Sequence, residues 1–174
     1  MTNSKDIIII SASCGKNLEL SKIFQDKSNE LKFNSEILDL TSFDIPLFNP
    51  RIHSKENIPA EIIEIKEKLF ATEKWIICAP EYNGSIPPIL SNLIAWLSIS
   101  GDDFRNLFNG QPIALATFSG GVGLELLTAL RISLVHLGSQ VLGRHLFSSF
   151  SKPVDIQTIE DIIQRLSQMK KIKI

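Results

Sequence analysis

The sequence predicts an α/β domain of the doubly wound kind, a parallel sheet with helices on both faces. Three observations carry that expectation. Short apolar runs alternate five times with longer segments whose apolar residues recur at helical spacing. The first run, Ile7-Ile8-Ile9-Ile10, is continuous and β-branched, the pattern of a strand covered on both faces. The segments that follow the first, third and fourth runs are rich in Ser, Gly and Asn, and right-handed crossovers would gather those loops at one sheet edge.

Length and composition set the frame. The chain has 174 residues, which suits a single domain over 1–174 with one set of packed layers. Its formal net charge is -1, so no basic excess points to nucleic acid and no charge block suggests a tail. No apolar stretch reaches the roughly 18 residues of a membrane helix. The start, Met1 to Asp6, is polar and leads straight into a strand, without the pattern of a signal peptide. Cys14 and Cys78 form no disulfide framework, and Cys78 sits in an apolar strand as core. These features together read as a reduced, cytoplasmic domain. The basic residues Lys170-Lys171-Ile172-Lys173 read as a helix C-terminus complementing its dipole.

Taken in order, the first strand is followed by a turn, Ser11 to Asn17, and by a helix in which Leu20, Ile23, Phe24 and Leu31 share a side. Ser35 to Leu40 is a short second strand. Thr41 to Ile58 is a long loop containing Pro46, Phe48 and Pro50, of a length that is usually functional or mobile. Pro59 opens a helix expected to bury Ile62, Ile63, Ile65, Leu69 and Phe70. Trp75 to Ala79 is the third strand, and a helix follows its loop to about Leu97. Ser98 to Gln111 is a polar connection. Pro112 to Phe118 is the fourth strand, Ser119 to Gly123 a turn, and Leu124 to Leu137 a helix ended by Gly138. Gln140 to Leu142 is the fifth strand. Thr158-Ile159-Glu160-Asp161 reads as a capping box. The last helix then carries Ile159, Ile162, Ile163, Leu166 and Met169 as its apolar stripe.

The loop after the third strand is the most informative stretch. Pro80-Glu81-Tyr82-Asn83-Gly84-Ser85-Ile86-Pro87-Pro88 places an aromatic, an amide, a flexible Gly and a hydroxyl between a buried strand and a helix start. Asn83-Gly84 alone is a common turn dipeptide, and Ser85 with the prolines could simply begin a helix. A plain strand-to-helix turn does not require the whole run. The first loop offers Ser11, Ser13, Gly15, Lys16 and Asn17 just ahead of a helix, where unpaired N–H groups and the dipole favour a phosphate. Asn17 could equally be the helix cap. The loop matches neither a Walker A motif nor Gly-x-Gly-x-x-Gly. Ser119-Gly120-Gly121 would let a flat ligand approach the backbone, or would merely turn tightly. His53, His136 and His145 form no triad or metal spacing with Glu19, Glu81 and Glu125. Cys14 lies by a helix N-terminus, which can lower a thiol pKa.

The stretch Ala79-Pro-Glu-Tyr-Asn-Gly-Ser-Ile-Pro-Pro-Ile-Leu-Ser-Asn-Leu-Ile-Ala-Trp-Leu-Ser98 closely resembles the signature of the NAD(P)H-dependent FMN reductase family. The resemblance implies a flavodoxin-like three-layer sandwich with a five-stranded parallel sheet of order 2-1-3-4-5. It implies FMN as cofactor and NADPH or NADH as co-substrate. It puts the Pro80 to Ser85 loop against the flavin ring, the Ser11 to Asn17 loop on the phosphate and Ser119 to Gly121 on the flavin side. The family's phosphate loop usually carries Gly-Ser-x-Arg. Here Ser11-Ala12 takes the Gly-Ser place, the Arg is absent, Asn17 keeps the family's Asn and Lys16 supplies charge. The implied activity passes hydride from NAD(P)H through FMN to a quinone, flavin, azo compound or metal ion. The alternative is a flavin carrier without nicotinamide turnover, against which the low acidity argues. A homodimer or homotetramer is implied. Assembly is expected through the apolar helix that carries Trp96, with Pro46, Leu47 and Phe48 reaching toward a neighbour's site.

Overall fold

The computed structural model describes residues 6–54 and 56–172. Strand β1 (Ile7–Ser11) leads to helix α1 (Lys16–Glu30), β2 (Ser35–Asp39) and a single 3₁₀ turn (Leu40–Ser42). Helix α2 (Ala60–Phe70), β3 (Lys74–Cys78) and α3 (Pro88–Ile99) follow. The second half runs β4 (Pro112–Phe118), α4 (Leu124–His136), β5 (Gln140–Val141), β6 (Leu146–Ser148) and α5 (Ile156–Gln168). All strand pairs are parallel, in the order β2-β1-β3-β4-β5, as expected. The register sets Ser11 beside Cys78 and Cys78 beside Ala116, so β1, β3 and β4 end close to one another at one edge.

The pleat divides the four isoleucines of β1 between two cores. Ile8 and Ile10 join Trp75, Trp96 and Phe108 under α2, α3 and α4. Ile7 and Ile9 join Phe24, Ile159 and Ile163 under α1 and α5. None of the four is more than 2% exposed. Each contributes roughly 1.5–3 kcal/mol of burial, which is why this run can only be a central strand.

Several expectations are corrected. The fifth strand position is filled in two pieces. β5 is only two residues long and pairs with Pro112 and Ile113, while β6, not expected, pairs with Ala116 to Phe118. The segment between them bulges from the edge, and the Arg131 guanidinium holds it by donating to the carbonyls of Val141 and Leu142. On α2, Ile63 and Phe70 are exposed, because only Ile62, Ile65 and Leu69 recur at the spacing that faces the sheet. The capping box fails: α5 starts earlier, with Asp155 accepting from the Gln157 N–H and from the Thr158 hydroxyl. Lys170 and Lys171 lie past the end of α5, where the chain crosses to Gly110 and pairs with it through Ile172; Lys173 lies outside the described residues. Cys78 is buried core, its thiol pushed up to about 12 by loss of solvent.

Candidate functional site

The loops after β1, β3 and β4 meet at the carboxyl edge of the sheet, and specific bonds lock them together. The Ala12 N–H donates to the Cys78 carbonyl at 3.0 Å, joining the first loop to the end of β3. The Thr117 hydroxyl donates to the Ala79 carbonyl at 2.7 Å, joining β4 to the second loop. The Asn17 carboxamide pairs with the backbone of Phe118, donating to its carbonyl at 2.9 Å and accepting from its N–H at 2.8 Å. Asn17 is 2% exposed. It is therefore neither a helix cap nor a free donor but a brace between the first and third loops.

The first loop keeps its backbone donors free. The Ser11 hydroxyl bends it by donating to the Ser13 carbonyl at 2.8 Å. Gly15 is the N-cap of α1 and supplies no side-chain cap. Among the described residues, the N–H groups of Ser13, Cys14, Gly15, Lys16 and Asn17 have no hydrogen-bond partner. A Cβ built on Gly15 would meet nothing within 4 Å. Consecutive free N–H groups ahead of a helix form an anion-binding concavity. Lys16 is exposed and paired with Glu19 at 2.7 Å, so its ammonium is already partly neutralised.

In the second loop Tyr82 and Ser85 close a two-residue turn, with the Tyr82 N–H on the Ser85 carbonyl and the Ser85 N–H on the Tyr82 carbonyl. Asn83 and Gly84 sit at φ +52° and +66°, the two positive angles of a type I′ turn. The N–H groups of Tyr82 and Ser85 are thereby engaged inside the turn, leaving those of Asn83 and Gly84. Tyr82 is 52% exposed. Pro80 and Glu81 lead into the turn half-buried. Glu81 reaches α4, accepting from the Leu126 N–H at 3.4 Å. Gly123, the N-cap of α4, has no side chain to do this, so the second loop caps the helix that the third loop begins.

The third loop is open where a ligand would lie. Gly120 and Gly121 are exposed, and a Cβ on Gly120 would meet nothing within 4 Å. Ser119 is buried, and its hydroxyl accepts from the Gly121 N–H at 3.2 Å. Two residues that sequence reasoning missed stand next to it. Phe118 packs edge-on against Phe150, at 5.1 Å between centroids, and Phe150 is 79% exposed in the turn after β6. An aromatic alone among serines, in Ser148-Ser149-Phe150-Ser151, was the available signal. Among the described residues no group of three or more His, Cys, Asp or Glu could hold a metal, and no helix is long and apolar enough to cross a membrane. A separate groove of about 500 Å³ runs beside α2, lined by Ile58, Ile63, Phe70 and Asn106; none of its lining residues belongs to the three loops.

The parallel sheet of order β2-β1-β3-β4-β5 with helices on both faces is flavodoxin-like, and the loops after β1, β3 and β4 lie at the edge where such sheets bind ligands. The chain belongs to the NADPH-dependent FMN reductase family, whose sequence profile matches residues 6–152. It is 34% identical over 125 residues to a quinone reductase of Escherichia coli (strain K12), covering 70% of this chain and 65% of that one. It thus spans just under two thirds of the curated relative it matches. It is 29% identical over 86 residues to an NAD(P)H-dependent FMN reductase of Pseudomonas aeruginosa, covering 49% of this chain and 43% of that one. The fold is similar to that of the flavoenzyme NAD(P)H:(acceptor) oxidoreductase FerB from Paracoccus denitrificans, with a TM-score of 0.74 and 19% identity over 95% of this chain and 96% of that one.

Proposed function

We propose that this chain binds FMN across the three loops and acts as an NAD(P)H-dependent oxidoreductase toward a small acceptor such as a quinone, free flavin, azo compound or metal ion. The observation that carries this reading is the row of partnerless N–H groups that runs from Ser13 through Gly15 into the first turn of α1 at Lys16 and Asn17. A terminal phosphate fits that row. The absent Arg is compensated by backbone donors, with Ser13 and Lys16 at the rim. A planar ring fits beside Tyr82, Asn83, Gly84 and Ser85 on one side and Ser119, Gly120 and Gly121 on the other, because the glycines leave the space a Cβ would fill. When bound, FMN supplies the redox chemistry, taking hydride from a nicotinamide and returning electrons to the acceptor. The chain's own part is to hold the ring and leave one face open. The free N–H groups of Asn83 and Gly84 can donate to the ring's polar edge.

The same reading includes a cytoplasmic homodimer or homotetramer. Trp96 does not provide that assembly surface. It is fully buried and donates to the Pro46 carbonyl at 2.8 Å. Pro46 and Phe48 are likewise held on α3 of their own domain through Asn92, leaving Leu47, 80% exposed, as the part of that loop able to reach a neighbour. The unpartnered apolar face lies instead on α4, where Leu124, Ile132 and Val135 are exposed.

The test is the visible spectrum of the protein with added FMN, followed by NAD(P)H under anaerobic conditions. Retained flavin absorbance that bleaches on NADPH or NADH, and returns with a quinone, supports the oxidoreductase. Flavin that binds and does not bleach makes the chain a carrier. Failure to retain FMN at micromolar concentration removes the reading.

A further inference from the structure

The bulged edge between β5 and β6 holds a second concentration of donors that the flavin reading does not use. A cavity of about 200 Å³ is lined by Arg144, His145, Phe147, Lys152, Asp155 and Thr158. That volume is below what a drug-sized ligand needs and ample for a small ion with a short substituent. The Nδ1 atom of His145 is shut off from solvent and has no hydrogen-bond partner. Buried polar atoms are nearly always satisfied, so an orphaned one beside a cavity points to a missing partner.

We infer that this edge cavity is an oxyanion site, built from Arg144, His145 and Lys152, that takes a phosphate group either free or on a small monoester. The charges favour that class. Lys152 forms no ion pair among the described residues and lies over the Phe147 ring at 5.2 Å. Arg144 places Nε 3.3 Å from Asp161 and donates to the Thr158 hydroxyl, so its guanidinium is oriented with donors to spare. Arg131, from α4, fixes the bulge that carries Arg144 and His145. Burial, and then the charges of Arg131, Arg144 and Lys152, hold the imidazole below its ordinary 6.5, opposed only by the Gly143 carbonyl. Two carboxylates face the same region. Asp155 is tied to the first turn of α5 through the Gln157 N–H and the Thr158 hydroxyl, and Asp161 lies between Arg144 and Arg165. Neither reaches His145, whose neighbouring charges are cationic. A neutral imidazole that donates Nδ1–H to an oxyanion would gain the partner it lacks.

The chain has three histidines, so imidazole NMR resolves the site directly. The experiment titrates inorganic phosphate into the full chain, saturated with FMN if it binds FMN, at ionic strength held constant with chloride. A saturable shift at His145, absent at His53 and His136, is expected, together with an upward move of the His145 titration. Glycerol phosphate in a parallel arm should give the same shift if the cavity accepts a monoester, and no shift if it takes only the free ion. Lys152→Gln, at an exposed position, should weaken binding about tenfold, the worth of one charge-assisted contact. Arg144→Gln should do likewise if it folds by circular dichroism. A His145 resonance that does not respond, equal shifts at all three histidines, or unchanged binding in Lys152→Gln would overturn the inference. Because the readout is His145 itself, failure of flavin binding and failure of this site are separate results.

Discussion

The Asn17 side chain and the Phe118 backbone form a closed pair of hydrogen bonds, 2.9 and 2.8 Å, across a sequence separation of 101 residues. This pair fixes the first turn of α1 to the end of β4, so the first and third loops cannot drift apart. Asn17→Ala leaves the half-buried N–H and carbonyl of Phe118 without these partners. The expected cost is roughly 2–6 kcal/mol, at about 1–3 kcal/mol for each orphaned group. Urea denaturation measures it. FMN and riboflavin should weaken together, since the loss is of alignment and not of a phosphate contact; a loss confined to FMN would make Asn17 a direct ligand.

The two kinds of glycine in the third loop should separate on substitution. Gly123 is at φ +68°, and a Cβ there would lie 2.8 Å from the Thr117 methyl. Gly123→Ala should therefore destabilise the fold by more than the roughly 1–2 kcal/mol of the left-handed conformation alone. Gly120→Ala meets open space and should leave the melting temperature unchanged while reducing FMN affinity. Equal FMN binding in Gly120→Ala would move the ring away from this loop.

Gly84 belongs to the first kind by angle and the second by space. Its φ of +66° is strained for any side chain, while its nearest neighbour, Glu125 Cβ, is 4.0 Å away. Gly84→Val should then distort the Tyr82–Ser85 turn as well as crowd the ring. A loss of FMN binding in Gly84→Val with a fold intact by circular dichroism is the expected result; normal FMN affinity and turnover would place the flavin elsewhere.

Asp155 sets an acid limit on α5. The hydrogen bond from the Thr158 hydroxyl, followed by those from the Gln157 and Thr158 N–H groups, holds its carboxyl below the ordinary 3.8. A depressed folded pKa means the unfolded chain binds the proton more readily. Its contribution is complete above about the ordinary carboxylate value and is lost as pH falls through the folded one. Asp155→Asn should lower stability at neutral pH and flatten the acid limb of the stability profile; parallel profiles for the two proteins would show that the cap contributes nothing.

Trp96 ties the long loop to α3. Trp96→Phe keeps the aromatic packing with Phe48 and His53 but removes the bond to the Pro46 carbonyl. A loss of about 1 kcal/mol is expected. Limited proteolysis between residues 43 and 58 should speed up before any other site is cut.

Much of the molecule was legible in the chain because its local signals agree. A continuous run such as Ile7 to Ile10 can be satisfied only inside a sheet covered on both faces, and Asn83-Gly84 carries the positive φ angles of its turn wherever it is placed. The strand alternation and the Tyr82–Ser85 turn were thus set by sequence. What tertiary structure decided are the matters in which a residue's partner is distant. Asn17 looked like a cap or a phosphate donor, since nothing near it in sequence announces Phe118. Glu81 caps a helix that begins 43 residues later, which no local window contains. Trp96 looked like spare surface until the Pro46 loop folded over it. Where the fifth strand splits, Arg131 reaches Val141 and Leu142, a contact between residues that local sequence does not pair. Short-range sterics and periodic burial are written in consecutive residues. The pairing of buried polar groups is settled only by which elements become neighbours.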